Sequence, residues 1–131
     1  MHLNERQKVL VIDDERNVAD TLCAILSGNG YECRVAYSAE ESIAVVAQWE
    51  PALAIIDVIL PVMSGIDLAI LLNAKHPAVK LLLISGQLLT GTMLEEAANH
   101  GHTFDILAKP IPVPQMLAAA ANLLAPPPGA E

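Results

Sequence analysis

Aromatic residues are scarce in this chain. They make up 3% of its 131 residues, so a buried core must be built from aliphatic side chains. Charged residues are few, at 17%, whereas hydrophobic residues reach 53%, and this balance excludes a disordered chain. Two cysteines, Cys23 and Cys33, are too few for a disulfide framework. We expect both to be small buried residues in a reducing compartment.

Long apolar runs and an excess of positive charge are also missing. The longest apolar runs have the length of a strand, and residues 1–8 lack the apolar core of a signal peptide. This pattern predicts no membrane insertion. The formal net charge of -8 disfavours direct binding of nucleic acid by this chain. We therefore expect a soluble, cytoplasmic protein.

What the sequence contains is an alternation of short apolar runs with longer amphipathic stretches. The apolar runs predict five strands, at 9–12, 32–36, 53–56, 80–84 and 105–108. The amphipathic stretches predict five helices, at 17–26, 39–49, 66–74, 88–100 and 113–124. We expect Gly28 and Gly30 to end the first helix and Ser38 to cap the second.

The order of these elements predicts the fold class. Strands joined by helix-sized crossovers are parallel, and helices then cover both faces of the sheet. The prediction is an α/β fold: a doubly wound five-stranded parallel sheet of flavodoxin-like order 2-1-3-4-5, with five helices on both faces. One domain is expected over 1–125, followed by a Pro-rich tail at 126–131.

Polar residues follow four of the five predicted strands. Asp13 and Asp14 end the first, Asp57 the third, Ser85 the fourth and Lys109 the fifth. Each alone could be a helix cap or a turn residue, but the carboxyl ends of parallel strands meet at one edge. Three neighbouring carboxylates repel one another unless a cation lies between them, and Mg²⁺ prefers oxygen ligands. The set is typical of in-line phosphoryl transfer, with Asp57 as nucleophile.

Four segments resemble the receiver domains of two-component response regulators, which share the fold of chemotaxis regulators. They are VLVIDDE at 9–15, DVILPVMSG at 57–65, ISG at 84–86 and AKP at 108–110. The resemblance covers residues 8–124. It implies that a sensor histidine kinase or a histidine phosphotransfer protein phosphorylates Asp57, and that the chain then switches conformation to signal to a downstream effector. Such a chain catalyses only its own phosphorylation and dephosphorylation.

The resemblance also implies roles for single residues. Asp14, Asp57 and the backbone carbonyl of Ile59 would bind Mg²⁺ directly, and Asp13 would act through water. Ser85 and Lys109 would contact the phosphoryl group, and a cis bond would precede Pro110.

One departure concerns the switch. Relatives often carry an aromatic residue three positions before the lysine, where this chain has Ile106. We therefore expect Ser85 to respond to phosphorylation and the segment from Gly86 to Thr92 to move, while Ile106 keeps one rotamer.

Two other functions remain open on the same fold. An unphosphorylated interaction module would keep the fold without the chemistry, although Asp57, Ser85 and Lys109 are all present. A metal-dependent phosphatase would need an acid-base aspartate two residues after the nucleophile, where this chain has Ile59. His100 and His102 could pair on a metal, but a solvated loop is the plainer interpretation. Whether the native protein continues into an output domain also stays open.

Overall fold

A single parallel sheet organises the chain. The computed structural model describes residues 6–86 and 104–125. Within these ranges the elements are β1 (Lys8–Ile12), α1 (Arg16–Gly28), β2 (Glu32–Ala36), α2 (Ala39–Gln48), β3 (Leu53–Asp57), α3 (Gly65–Lys75), β4 (Lys80–Ser85), β5 (Asp105–Ala108) and α4 (Val113–Leu124). The strand order is β2-β1-β3-β4-β5 and every pair is parallel, which confirms the predicted α/β topology. The described residues hold four helices; the predicted helix at 88–100 lies outside them.

Two aliphatic cores lie on opposite faces of the sheet. Alternate residues of the strands face α2 and α3 on one side, and α1 and α4 on the other. The central strand β3 is buried along its whole length, which explains its unbroken apolar run. Burial of each large aliphatic side chain stabilises the fold by about 2 kcal/mol. The packed sheet therefore supports the residues at its edge.

The ends of the helices follow the predictions with one correction. The Ser38 hydroxyl accepts a hydrogen bond from the Glu41 amide at 3.1 Å and caps α2 as predicted. The first helix ends at Gly28, as expected, although it includes this residue and so extends two residues beyond the predicted limit of 26. Asn29 caps this helix, and Gly30, with φ of 96°, turns the chain towards β2.

The expectation of two buried cysteines was wrong. Cys23 of α1 and Cys33 of β2 are both half-buried. For Cys33 the reason is topological, since β2 is an edge strand of the sheet and only one neighbouring strand covers it.

The described helices are also short. None of them has the length and the apolar character that a membrane crossing requires.

Candidate functional site

The carboxyl edge of the sheet buries polar side chains. The described residues include four buried polar side chains, and Asp13, Asp57 and Ser85 are three of them, with 0%, 4% and 4% exposure. They stand at the carboxyl ends of β1, β3 and β4, where the sequence placed them. Burying a carboxylate is unfavourable unless it is paired. Their partners therefore decide what this edge can do.

Lys109 is the common partner of these carboxylates. Its Nζ donates to Asp13 Oδ2 at 2.8 Å and to Asp57 Oδ2 at 3.0 Å, and it lies 3.3 Å from Glu15 Oε1. Its backbone amide donates to the Ser85 carbonyl at 2.8 Å, which anchors the lysine to the end of β4. The bond between Lys109 and Pro110 is cis, as the resemblance implied. One ammonium group thus bridges strands that lie far apart in sequence.

The same edge offers a set of oxygen ligands. One carboxylate oxygen each from Asp13, Asp14 and Asp57 lies within 4.8 Å of the others. Asp14 is exposed, whereas the other two are buried, so the set opens to solvent on one side. Carboxylate oxygens in this number and spacing fit a hard divalent cation such as Mg²⁺, which keeps some of its waters. The predicted convergence of the three aspartates is confirmed.

Backbone amides complete the environment of the two buried aspartates. The Ile59 amide donates to Asp57 Oδ1 at 3.1 Å, and the Glu15 amide donates to Asp13 Oδ1 at 3.0 Å. Burial raises the pKa of Asp57 above its ordinary value, and the charge of Asp13 adds to this. The hydrogen bonds from Ile59 and Lys109 oppose the rise without cancelling it.

The charge of Lys109 is secured by the carboxylates around it. Burial alone would lower the pKa of Lys109, but the hydrogen bonds to Asp13 and Asp57 outweigh burial and raise it. The lysine therefore stays charged at any physiological pH, and its charge is available to an anion that reaches Asp57.

Gly65 is a site residue that sequence reasoning did not single out. A Cβ atom at this position would lie 2.0 Å from the backbone oxygen of Asp57 and 2.7 Å from the Cα of Val58. The Gly65 amide instead donates to the Val58 carbonyl at 2.7 Å, and Ser64 caps α3 by accepting from the Asp67 amide at 3.1 Å. Helix α3 therefore begins in direct contact with the backbone of the buried aspartate. In the sequence, Gly65 appears only as the last residue of the segment at 57–65 that resembles receiver domains.

The loop after Asp57 presents apolar side chains to solvent. Ile59 is 50% exposed and Val62 is fully exposed, with φ of 71° in the left-handed region. A β-branched residue in that region is strained. Neither a glycine nor an asparagine signals this conformation in the sequence. The exposed Ile59 side chain therefore lies next to Asp57, whose carboxylate accepts a hydrogen bond from the Ile59 amide.

The proposed switch residues are partly described. Ser85 is buried and pairs with Ala108 across the last two strands, whereas Ile106 pairs with Leu83 and packs on the core that faces α2 and α3. Gly86 is exposed beside the Lys109 side chain. Residues 87–103 lie outside the described ranges, so most of the segment expected to move, and both His100 and His102, lie there too.

A family model for the response regulator receiver domain matches residues 9–121. The chain belongs to this family. The receiver domain protein of Methanospirillum hungatei JF-1, described as CheY-like, superposes with a TM-score of 0.84 at 25% identity, over 92% of this chain and 94% of that one. The receiver domain of NtrX from Brucella abortus superposes with a TM-score of 0.76 at 28% identity, over 88% of this chain and 97% of that one.

Sequence relatives are longer than this receiver domain. The DNA-binding response regulator MtrA of Mycolicibacterium paratuberculosis is 35% identical over 69 residues, which are 53% of this chain and 31% of that protein. The nitrogen assimilation regulatory protein NtrX of Azorhizobium caulinodans is 30% identical over 104 residues, which are 78% of this chain and 22% of that protein. This chain therefore spans about a third or less of their lengths, and the DNA binding in the first name is a property of that protein.

Proposed function

We propose that this receiver domain accepts a phosphoryl group on Asp57 and changes conformation in response. The observation that carries the proposal is the position of Lys109, whose ammonium group lies 2.8 Å from Asp13 and 3.0 Å from Asp57. A buried carboxylate beside a partly buried cation is a nucleophile whose neighbour can neutralise charge on the incoming phosphoryl oxygens. A sensor histidine kinase or a histidine phosphotransfer protein would supply the group.

The transfer needs few functional groups. An oxygen of the ionised Asp57 carboxylate attacks phosphorus, the bond between phosphorus and the donor nitrogen breaks, and the donor histidine leaves with that electron pair. Lys109 would neutralise charge on the transferred oxygens, and the Ser85 hydroxyl would bind one of them. The Ile59 amide holds the second oxygen of the attacking carboxylate at 3.1 Å. Positioning and charge neutralisation are most of what phosphoryl transfer requires.

We assign the metal site to the same carboxylates. Asp14, Asp57 and the Ile59 carbonyl would bind Mg²⁺ directly, with Asp13 acting through water. Bound Mg²⁺ would supply positive charge to the phosphoryl oxygens. The close approach of the three carboxylates supports this assignment, since one ammonium does not balance their charge.

A groove beside the site provides an approach for the donor. It has a volume of about 590 Å³ and lies between the start of α1 and the segment that follows β5. Val18, Leu22 and Ile111 form its apolar wall, and Lys109 stands at its polar end. A donor protein could seat apolar side chains here while its phosphohistidine faces Asp57.

The product should be long-lived. Ile59 is half exposed at the position from which a hydrolytic water would approach, and its apolar side chain can neither orient nor activate that water. The domain would thus catalyse its own phosphorylation and a slow dephosphorylation, and no turnover of a separate substrate. We expect it to work in the cytoplasm and to signal through a protein partner, because its charge of -8 opposes direct contact with nucleic acid.

Intact-mass measurement after incubation with acetyl phosphate tests the proposal. With Mg²⁺, we expect one phosphoryl group per chain, and with EDTA we expect none. Asp57→Asn should abolish the addition, whereas the matched control Asp67→Asn, which changes an exposed aspartate of α3, should not. Release of phosphate with turnover would favour a phosphatase, and no reaction under any condition would favour an interaction module.

A further inference from the structure

Glu15 is a third carboxylate partner of Lys109, and the proposed phosphoryl transfer does not use it. Its Oε1 lies 3.3 Å from the Lys109 Nζ, beside the shorter contacts of that atom with Asp13 and Asp57. The Glu15 side chain is 65% exposed, whereas the side chains of Asp13 and Asp57 are buried. Glu15 is thus the partner of Lys109 that a group arriving from solvent meets first.

The place of Glu15 in the fold does not require this contact. Glu15 directly precedes the first turn of α1, a position where short polar side chains accept hydrogen bonds from helix amides. Among the residues that the structure describes, the Glu15 side chain makes no such capping bond. It extends towards Lys109 instead, and both residues line the groove beside the site. The Glu15 carboxylate therefore belongs to the approach to Asp57 and not to the start of the helix.

We propose that Glu15 is a specificity residue for the phosphoryl donor, and that its charge slows transfer from small anionic donors. This role rests on the proposed phosphoryl transfer to Asp57. A free acyl phosphate has to bring its own negative charge past the Glu15 carboxylate. Its oxygens also compete with that carboxylate for the Lys109 ammonium group, 3.3 Å away. Glu15 thus acts through its charge and through Lys109, without touching the reacting atoms.

A protein donor meets the same charge with more binding energy. It can contact the apolar wall of the groove, formed by Val18, Leu22 and Ile111, while a small molecule cannot cover that wall. Binding energy from such remote contacts can offset repulsion at the reacting centre. Glu15 therefore favours a protein partner over free metabolites that carry a reactive phosphoryl group.

The rate of phosphorylation by acetyl phosphate tests the role of this charge, measured by intact mass at saturating Mg²⁺ and low ionic strength. Glu15→Gln keeps the size of the side chain and removes its charge, so it should react about fivefold faster than the wild type. Glu40→Gln, which removes an exposed carboxylate from the first turn of α2, is the matched control. Its rate should change by less than about twofold.

Three further measurements separate charge from structure. Added salt should bring the rates of Glu15→Gln and the wild type together, because salt screens exposed charges. Inorganic phosphate, titrated without Mg²⁺, should shift the Lys109 amide resonance at a lower concentration in Glu15→Gln than in the wild type. Glu15→Ser places a good capping residue before α1, so it should fold at least as well as the wild type and should also react faster.

Equal phosphorylation rates in the wild type and Glu15→Gln would overturn the role of Glu15 and would leave Asp57 as the acceptor. A faster rate in Glu15→Gln that persists unchanged in high salt would also overturn it, since charge would not be the cause. No labelling of either chain would overturn the phosphoryl transfer itself, and the role of Glu15 with it.

Discussion

Charged residues are exposed at the amino edge of the sheet, where the strands begin, but buried at its carboxyl edge, where the strands end. At the amino edge, the first residues of four strands are charged and exposed, namely Lys8, Glu32, Lys80 and Asp105. At the carboxyl edge, Asp13 and Asp57 are buried and share the ammonium group of Lys109. Solvated charges contribute little to stability, whereas buried ones depend on their partners. The buried carboxylates of the carboxyl edge therefore provide reactive groups but reduce the stability of the fold.

The interactions of the amino edge are those of an ordinary surface. Trp49 is flanked by the cations of Lys8 and Arg34, at 5.6 Å and 4.5 Å from its ring centre. His76 Nδ1 lies 2.8 Å from Glu50 Oε2 near the surface, within hydrogen-bond distance. Each such surface contact contributes less than about 1 kcal/mol. Substitutions at the two edges should therefore differ sharply in effect.

Two glycines give the largest expected contrast. Gly65→Ala should lower the free energy of unfolding by about 3 kcal/mol, because the new methyl group would overlap the backbone of Asp57. The matched substitution Gly28→Ala, in a helix end with nothing within 4 Å of the new atom, should be neutral or stabilise by about 0.5 kcal/mol. Urea denaturation measures both values. Equal effects would show that α3 does not abut Asp57 as described.

Two lysines give the next contrast. In EDTA, Lys109→Met should lower the free energy of unfolding by about 2 kcal/mol, because Asp13 and Asp57 would then face each other without a cation. Lys80→Met, at the exposed start of β4, should change it by less than about 0.5 kcal/mol. Mg²⁺ should restore part of the loss in the first variant only. If Mg²⁺ did not change the stability of Lys109→Met, Lys109 and the metal would not share one site.

Removing one metal ligand should have a smaller effect. Asp14→Ala should weaken Mg²⁺ binding about tenfold, or about 1.4 kcal/mol, since the cation loses the exposed carboxylate of its ligand set. Asp67→Ala, which removes an exposed carboxylate of α3, is the control and should leave the affinity unchanged. Amide shifts in an NMR titration report both affinities. Unchanged binding in Asp14→Ala would remove this residue from the site.

The smallest effect should appear in the pH dependence of stability without metal. The pKa of Asp57 is raised in the folded chain. As the pH rises above 3.8, the Asp57 carboxyl group therefore loses its proton in the unfolded chain before it does so in the folded chain. The free energy of unfolding falls between pH 3.8 and the pKa of Asp57 in the folded chain. At neutral pH the ionised carboxylate is therefore unfavourable. Asp57→Asn should melt at a higher temperature than the wild type at pH 7 in EDTA, and the gain should vanish near pH 3. A gain that persists in acid would contradict this sign.

The sequence was sufficient for the topology and for the main site residues. Periodic apolar runs predicted the strand order, and Asp13, Asp14, Asp57, Ser85 and Lys109 all lie at the expected edge. The site residues could be predicted because the end of each strand is visible in the local sequence. The parallel arrangement of the sheet then brings these carboxyl ends together.

Features that depend on contacts between different helices and strands could not be predicted from the sequence. The need for glycine at position 65 arises from the contact of α3 with the end of β3, which no local pattern encodes. The contact of Glu15 with Lys109 depends on side-chain conformations across 94 positions of sequence. The exposure of Cys33 follows from the place of its strand in the sheet, which composition does not reveal.

Mapping the phosphorylated residue is the most direct test of the central claim, that the carboxyl edge makes Asp57 a phosphoryl acceptor. The wild-type chain would be incubated with acetyl phosphate and Mg²⁺, and borohydride would then reduce the acyl phosphate to an alcohol that tandem mass spectrometry locates. We expect one reduced residue, Asp57, and no reduction in Asp57→Asn. A reduced residue at Asp13, at Asp14 or elsewhere in the wild type, or equal labelling of Asp57→Asn, would contradict it.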